Sequence, residues 1–225
     1  MAARAQADTQ AVTSLAWVAL GVAAVFSAAN LTAILRHDKR LEYAAKPAVM
    51  ALLIVVALLL HPASQAERAC FLIAVALGLA GDVFLMLRHD YLVAGLLAFL
   101  AGHVAYIVGF RFGAFELGGL VVGAVVVILT AALALRRILA ALRAGDRARL
   151  QAPVVAYVVV ISLMTVSATA SGSLIAAAGG LLFFFSDLLF SWYRFVRPLS
   201  WGQPLNIVMY QSGQALLVLS LASSV

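Results

Sequence analysis

Runs of about 20 apolar residues, parted by loops too short to fold on their own, leave this chain one class of structure. The spans read as Thr13–Leu35, Leu41–Leu60, Glu67–Leu87, Tyr91–Phe110, Phe115–Leu135, Ala152–Ala170, Leu174–Tyr193 and Pro204–Leu221. Each is long enough to cross roughly 30 Å of hydrocarbon at about 1.5 Å per helical residue. In that medium every backbone N–H and C=O must find its partner within the segment, which selects helices. The expected fold is all-α: a polytopic transmembrane bundle of about eight helices, forming a single domain over residues 13–225 after a polar tail over residues 1–12. Of the 225 residues 65% are hydrophobic and only 11% charged, against roughly 25% charged in soluble domains. The turn Ser171-Gly172-Ser173 is where two spans are most easily merged into one.

The basic residues are unevenly shared between the loops. Arg36, Lys39, Arg40, Lys46, Arg88, Arg136, Arg137, Arg143, Arg147, Arg149, Arg194 and Arg197 fall at one end of the spans; Arg4, Arg68 and Arg111 fall at the other. The positive-inside rule makes the first end cytoplasmic and both termini non-cytoplasmic. It also accounts for the net charge of +6 without nucleic acid as a partner. The densest cluster, Arg136 to Arg149 with Asp146, reads as a loop that also meets anionic lipid headgroups. The Ala/Arg-rich, multi-pass chain is expected in the cytoplasmic (inner) membrane of a bacterium.

Two aspartates break the apolar pattern. Asp82 follows Gly81 near the end of the third span. Asp187 follows Ser186 in the seventh, after a stretch from Gln151 without a charge. A carboxylate at bilayer depth costs at least about 2.5–3.5 kcal/mol, so such groups face the protein interior and mark a functional site by default. Counting helical rise from the basic ends puts Asp82 roughly 8 Å deep and Asp187 roughly 9 Å deep. Asn30, Lys46 and Tyr210 fall in the same layer, Asn206 is shallower, and His103, Tyr106 and Gln214 lie deeper. Spans one, two, three, seven and eight can thus share one polar pocket near the basic end, provided that their faces converge.

A metal site is not expected. His37, His61 and His89 sit in loops or at span ends and only His103 lies deep, so three histidines cannot gather at one depth. The one cysteine, Cys70, allows neither an intrachain disulfide nor a cysteine cluster. No cofactor is implied.

Several short motifs recur in order along the chain: Lys46-Pro47; Gly81-Asp82 with Leu85-Met86-Leu87; Gly102-His103 with Tyr106; Gly179 and Phe184; Ser186-Asp187; and Tyr210 with Gln214. On eight expected helices this ordered set resembles the YhhN family of integral membrane proteins, whose characterised members are lysoplasmalogenases. The resemblance implies hydrolysis of the vinyl ether bond of a lysophospholipid, the lysoplasmalogen, to a fatty aldehyde and a glycerophospho-base. It also implies catalytic roles for Asp82 and Asp187. Lys46, Asn30, His103, Tyr106, Ser186, Asn206, Tyr210 and Gln214 are the candidate substrate-binding residues, with Lys46 suited to a lipid phosphate.

The chemistry fits two carboxyl groups. A proton must reach the β-carbon of the vinyl ether, and water must then add to the oxocarbenium-like ion. One carboxylic acid can supply the proton while a carboxylate stabilises the cation and activates water. The same pair suits a second class, a proton-coupled transporter of lipids or small molecules, because intramembrane carboxylates also relay protons. The inverted repeats and paired broken helices of many transporters are not visible in the sequence.

Overall fold

The computed structural model describes residues 13–87, 91–145 and 147–222. The expected polar tail over 1–12, the turn Arg88-His89-Asp90 and Asp146 lie outside the described residues. Among those described, eight helices are long and apolar enough to cross a membrane. They are α1 (Ser14–Leu35), α2 (Lys39–Leu59), α3 (Gln65–Met86), α4 (Leu92–Phe110), α5 (Leu117–Ala144), α6 (Gln151–Ala170), α7 (Leu174–Ser191) and α8 (Gly202–Leu219). A π-helical turn, Trp192–Val196, extends α7, and 3-10 turns at Ala148–Leu150 and Ser220–Ala222 flank α6 and α8.

Short polar side chains set where several helices begin. The side-chain oxygens of Thr13, Asp38, Ser64 and Ser173 accept from the first-turn N–H groups of α1, α2, α3 and α7, satisfying donors that a helix start leaves open. The turn between α6 and α7 closes through Gly172 at φ 72°. A side chain there would also run into the Glu116 carboxylate. The two spans are therefore separate helices, as the tight turn implies.

Consecutive helices pair as four hairpins: α1 with α2, α3 with α4, α5 with α6, and α7 with α8. Further packing of α2 on α3, α4 on α6, α6 on α7, and α8 on both α1 and α2 closes seven helices into a ring. Inside it Met50, Leu53, Phe71, Tyr106, Phe183, Phe184 and Leu217 are fully buried. The seam between α7 and α8 is closed by two glycines. A Cβ on Gly179 would stand 3.0 Å from the Gly213 carbonyl oxygen, and one on Gly213 equally close to that of Gly179. Helices in hydrocarbon associate through such small-residue contacts.

The fifth helix stands outside the ring, against α6 and the π-turn. Val121, Val122, Val125, Ile128, Leu129 and Leu133 face outward, an apolar surface matched to lipid. This helix corrects one sequence expectation. It runs on to Ala144, so Arg136, Arg137 and Arg143 are helical rather than in a loop. The cause is an apolar stripe that continues past Leu135. Ile138 and Leu142 are buried against Val154 and Val158 of α6, while the arginines occupy the opposite face at helical spacing.

The start of α2 decides the place of Pro47. The Asp38 carboxylate accepts from Arg40 and Leu41 N–H at 3.0 and 3.1 Å, so α2 starts at Lys39 and Pro47 lies inside the helix rather than in its first turn. Lacking an N–H, Pro47 leaves the Tyr43 carbonyl without its usual intrahelical partner. Arg194, expected in a loop, belongs to the π-turn.

Candidate active site

The end of the bundle that carries most of the arginines holds a cavity of about 200 Å³, space for several waters. Asp82 and Asp187 both line it. Each sits about one turn before the end of its helix, at Met86 of α3 and Ser191 of α7. Polar groups from five helices converge on one chamber: α2, α3, α7 and α8, as expected from their depths, and α6 in place of the expected first span.

Asp82 is held from two sides. Its Oδ1 is 2.9 Å from Lys46 Nζ, with 14% of the lysine side chain and 1% of the aspartate exposed. Its Oδ2 accepts from the Tyr210 hydroxyl at 2.8 Å. Lys46 therefore turns inward to a carboxylate instead of reaching out to the interface, with its ammonium 6.0 Å from the centre of the Tyr210 ring. Tyr210 is fixed in turn by edge-on contacts with Phe99 and Phe183. The aromatic groups form an apolar floor under the ion pair.

Asp187 has different partners. Its Oδ2 accepts from the Tyr157 hydroxyl, contributed by α6. His103 Nε2 lies 3.1 Å from the same hydroxyl and 3.8 Å from Asp187 Oδ2. Oδ1 lies 3.4 Å from Ser186 Oγ, whose hydroxyl also donates to the Phe183 carbonyl at 2.7 Å. Among the described residues no lysine or arginine pairs with Asp187, so one aspartate has an ammonium partner and the other a phenol.

Of the residues expected from sequence, Lys46, Asp82, Asp187, Asn206 and Tyr210 line the cavity. The Asn206 amide donates to the Ser186 carbonyl at 2.7 Å and ties α8 to the turn of α7 that presents Asp187. Ser186 is buried behind that turn, and His103 stands behind Tyr157. Tyr106 and Gln214 are hydrogen-bonded to each other at 2.6 Å, deeper in the bundle. They link α4 to α8 and do not line the cavity. Asn30 does not line it either: its side chain is fully buried, and neither amide atom has a partner. Ile34, one turn nearer the basic end on the same face of α1, does line the cavity, so Asn30 is buried one turn short of it rather than turned away.

Several cavity-lining residues escaped the sequence reading. Tyr157 is the main one, a lone phenol in a span read only for its lack of charge. Glu42, Tyr43 and Tyr193 line the mouth with Lys39. Lys39 and Glu42 pair there at 2.7 Å, and the Tyr43 hydroxyl donates to the Met86 carbonyl at 2.7 Å, joining α2 to the end of α3. A signal for part of this set was available. Residues 39, 42, 43 and 46 recur at the spacing of one helix face, so a polar stripe runs down α2 into the site.

Among the described residues no group of three or more His, Cys, Asp or Glu side chains gathers where it could hold a metal ion. The arrangement offers acid–base chemistry: a buried carboxylate–ammonium pair and a second carboxyl group in a small, partly polar chamber reached from the end of a lipid-embedded bundle.

Comparison with other proteins adds one match. No curated protein and no solved structure matches the chain. The YhhN family model matches residues 41–221, from the start of α2 through α8 with both aspartates and Lys46 included, and the chain belongs to the YhhN family of membrane proteins.

Proposed function

We propose that this protein is a membrane-embedded hydrolase that cleaves the vinyl ether bond of lysoplasmalogens, releasing a fatty aldehyde and a glycerophospho-base. The observation that carries this reading is the meeting of Asp82 and Asp187, from separate helical hairpins, on the wall of one cavity. The resemblance that names the reaction supports it. The setting is the bacterial cytoplasmic membrane, with the cavity mouth toward the cytoplasm.

The two carboxyl groups divide the work by their partners. Asp187, without an ammonium partner, is the acid. It gives its proton to the vinyl β-carbon, and the double-bond electrons form the new C–H bond as the ether oxygen shares its lone pair with the adjacent carbon. Asp82, whose Oδ1 lies 2.9 Å from the Lys46 ammonium, takes the carboxylate role: it stabilises the oxocarbenium ion across the cavity and takes a proton from the water that adds to it. The hemiacetal then collapses: Asp82 passes the proton it took to the glycerol oxygen as that C–O bond breaks, the hemiacetal O–H gives its proton back to Asp187 as the C=O bond forms, and the aldehyde leaves. One water is consumed and protons balance. Lys46, bound to Asp82, retains N–H donors that can also meet the lipid phosphate, and Tyr210 orients the attacking side of Asp82.

The test is aldehyde release from a lysoplasmalogen by the purified protein in detergent or liposomes. Wild type is expected to release aldehyde, while Asp82→Asn and Asp187→Asn each lose on the order of 10²–10⁴ of the rate, the usual share of a positioned acid or base. Folded wild-type protein that releases none would sink the hydrolase reading. Uptake of the lipid into proteoliposomes without turnover would assign the aspartates to transport instead.

A further inference from the structure

We infer that His103, Tyr157 and Asp187 form a one-way hydrogen-bond chain, from His103 Nε2–H to the Tyr157 hydroxyl to Asp187 Oδ2. Tyr157 and His103 are then positioning residues that leave Asp187 Oδ1 as the proton-bearing oxygen. The inference deepens the hydrolase reading and rests on it for its catalytic consequence; the direction of the chain stands on geometry alone.

The three groups come from α4, α6 and α7 and touch in sequence. The Tyr157 hydroxyl lies against Asp187 Oδ2 on one side and 3.1 Å from His103 Nε2 on the other. A phenol has one proton to donate. If it goes to Asp187, the histidine must donate to the phenol oxygen, so the ring proton sits on Nε2. If the chain ran the other way, Asp187 would donate to the phenol, the phenol to Nε2, and the neutral ring would carry its proton on Nδ1.

The surroundings of Nδ1 decide between these. That atom is buried and has no hydrogen-bond partner, on a side chain 1% exposed and packed edge-on against the Phe183 ring at 4.7 Å. An orphaned buried N–H is rarer in folded proteins than an under-used acceptor. The bare lone pair therefore belongs at Nδ1 and the proton at Nε2.

Direction has a consequence for the acid. Oδ2 is committed as an acceptor from a phenol that the imidazole N–H polarises, since consecutive hydrogen bonds strengthen one another in low dielectric. The proton that Asp187 passes to substrate is then carried on Oδ1, which lies 3.4 Å from Ser186 Oγ. No substrate atom is required to touch Tyr157 or His103 for either to matter.

Two measurements on the full-length protein test this. Nitrogen-15 NMR of histidine-labelled protein, with the His103 signals identified by their loss in His103→Gln, reads the tautomer directly. A neutral ring protonated on Nε2, with its signals moved in Tyr157→Phe, is the expected result. A proton on Nδ1, or a doubly protonated ring at neutral pH, overturns the chain. This arm is informative whether or not the protein has hydrolase activity.

In the aldehyde assay, Tyr157→Phe is expected to lower kcat by about 10- to 100-fold with KM within about twofold, the signature of an interaction used in the transition state. His103→Leu should fall with it, and His103→Gln, which keeps an N–H donor, should recover part of the loss. Tyr157→Phe at wild-type kcat overturns the positioning role. Wild type that makes no aldehyde instead sinks the hydrolase reading, and the NMR result still decides the direction of the chain.

Discussion

At the level of single residues, the ammonium of Lys46 lies 2.9 Å from a carboxylate that is 1% exposed. Neither charge can be removed alone without stranding the other in a low-dielectric interior. Lys46→Met is expected to destabilise the protein by about 3–5 kcal/mol, the range for breaking a buried pair from one side. The double variant Lys46→Met with Asp82→Asn should regain most of that in thermal unfolding in detergent, yet remain inactive. Equal unfolding temperatures for wild type and Lys46→Met would mean that water already screens the pair. Asn30 makes the opposite case. Both of its amide atoms are buried without a partner, and replacing an unsatisfied polar group with an apolar one of similar shape is neutral or stabilising. Asn30→Leu is expected to hold or raise the unfolding temperature and leave aldehyde release intact; a loss of activity with normal folding would return Asn30 to the site. The contrast shows what the sequence reveals about residues. An aspartate in an apolar run announces itself by its cost, whereas Tyr157 and Asn30 carry no formal charge. Which of the two lines the cavity depends on where α1 and α6 are set around it.

At the level of elements, the α7–α8 seam sets the distance between Asp187 and the Tyr210 that holds Asp82. A Cβ at Gly179 would stand 2.9 Å from the Leu217 backbone nitrogen and 3.0 Å from the Gly213 carbonyl oxygen, atoms that cannot move without moving the helix. Gly179→Ala should therefore cost about 1–3 kcal/mol from overpacking. Gly21 of α1 has nothing within 4 Å of the same position, so Gly21→Ala should be neutral or stabilising by up to about 1 kcal/mol from helix propensity. Melting curves of the two variants side by side check the difference, and equal shifts would show that the seam is loose. Helix existence was legible from hydropathy, because hydrocarbon leaves the backbone few alternatives. Helix ends were less so. Counting charges ended the fifth span at Leu135, whereas burial of Ile138 and Leu142 carries it to Ala144.

At the scale of the whole molecule, the eight spans among the described residues bring the start of α1 and the end of α8 to one side, opposite the cavity mouth. From the arginine distribution that side is expected to be non-cytoplasmic. A reporter that works only outside the cytoplasm, fused to the C-terminus, is expected to be active, and a cytoplasm-only reporter silent. The reverse result would turn the cavity toward the outside and change which lipid leaflet feeds it. The ring of seven helices with α5 outside was not read from the sequence. The fifth span is the most apolar of the eight, which agrees with its lipid contact, but a run of valines and leucines does not give the order of helices around a ring.

What the sequence determined by itself is what the bilayer dictates: the helical class, the spans, the sidedness expected from charge, and the two positions where a carboxylate is too costly to lack a purpose. Depth along each helix follows from rise per residue, so the layer holding Asp82, Lys46, Asp187 and Tyr210 could be read from one dimension. What only the tertiary structure decided is rotation about each helix axis and order around the ring. Those depend on packing between helices far apart in sequence, with Gly179 meeting Gly213 and Phe183 wedged against His103 and Tyr210. That packing brought Tyr157 to Asp187, turned Lys46 inward to Asp82, and left Asn30 buried one turn short of the cavity that Ile34 reaches.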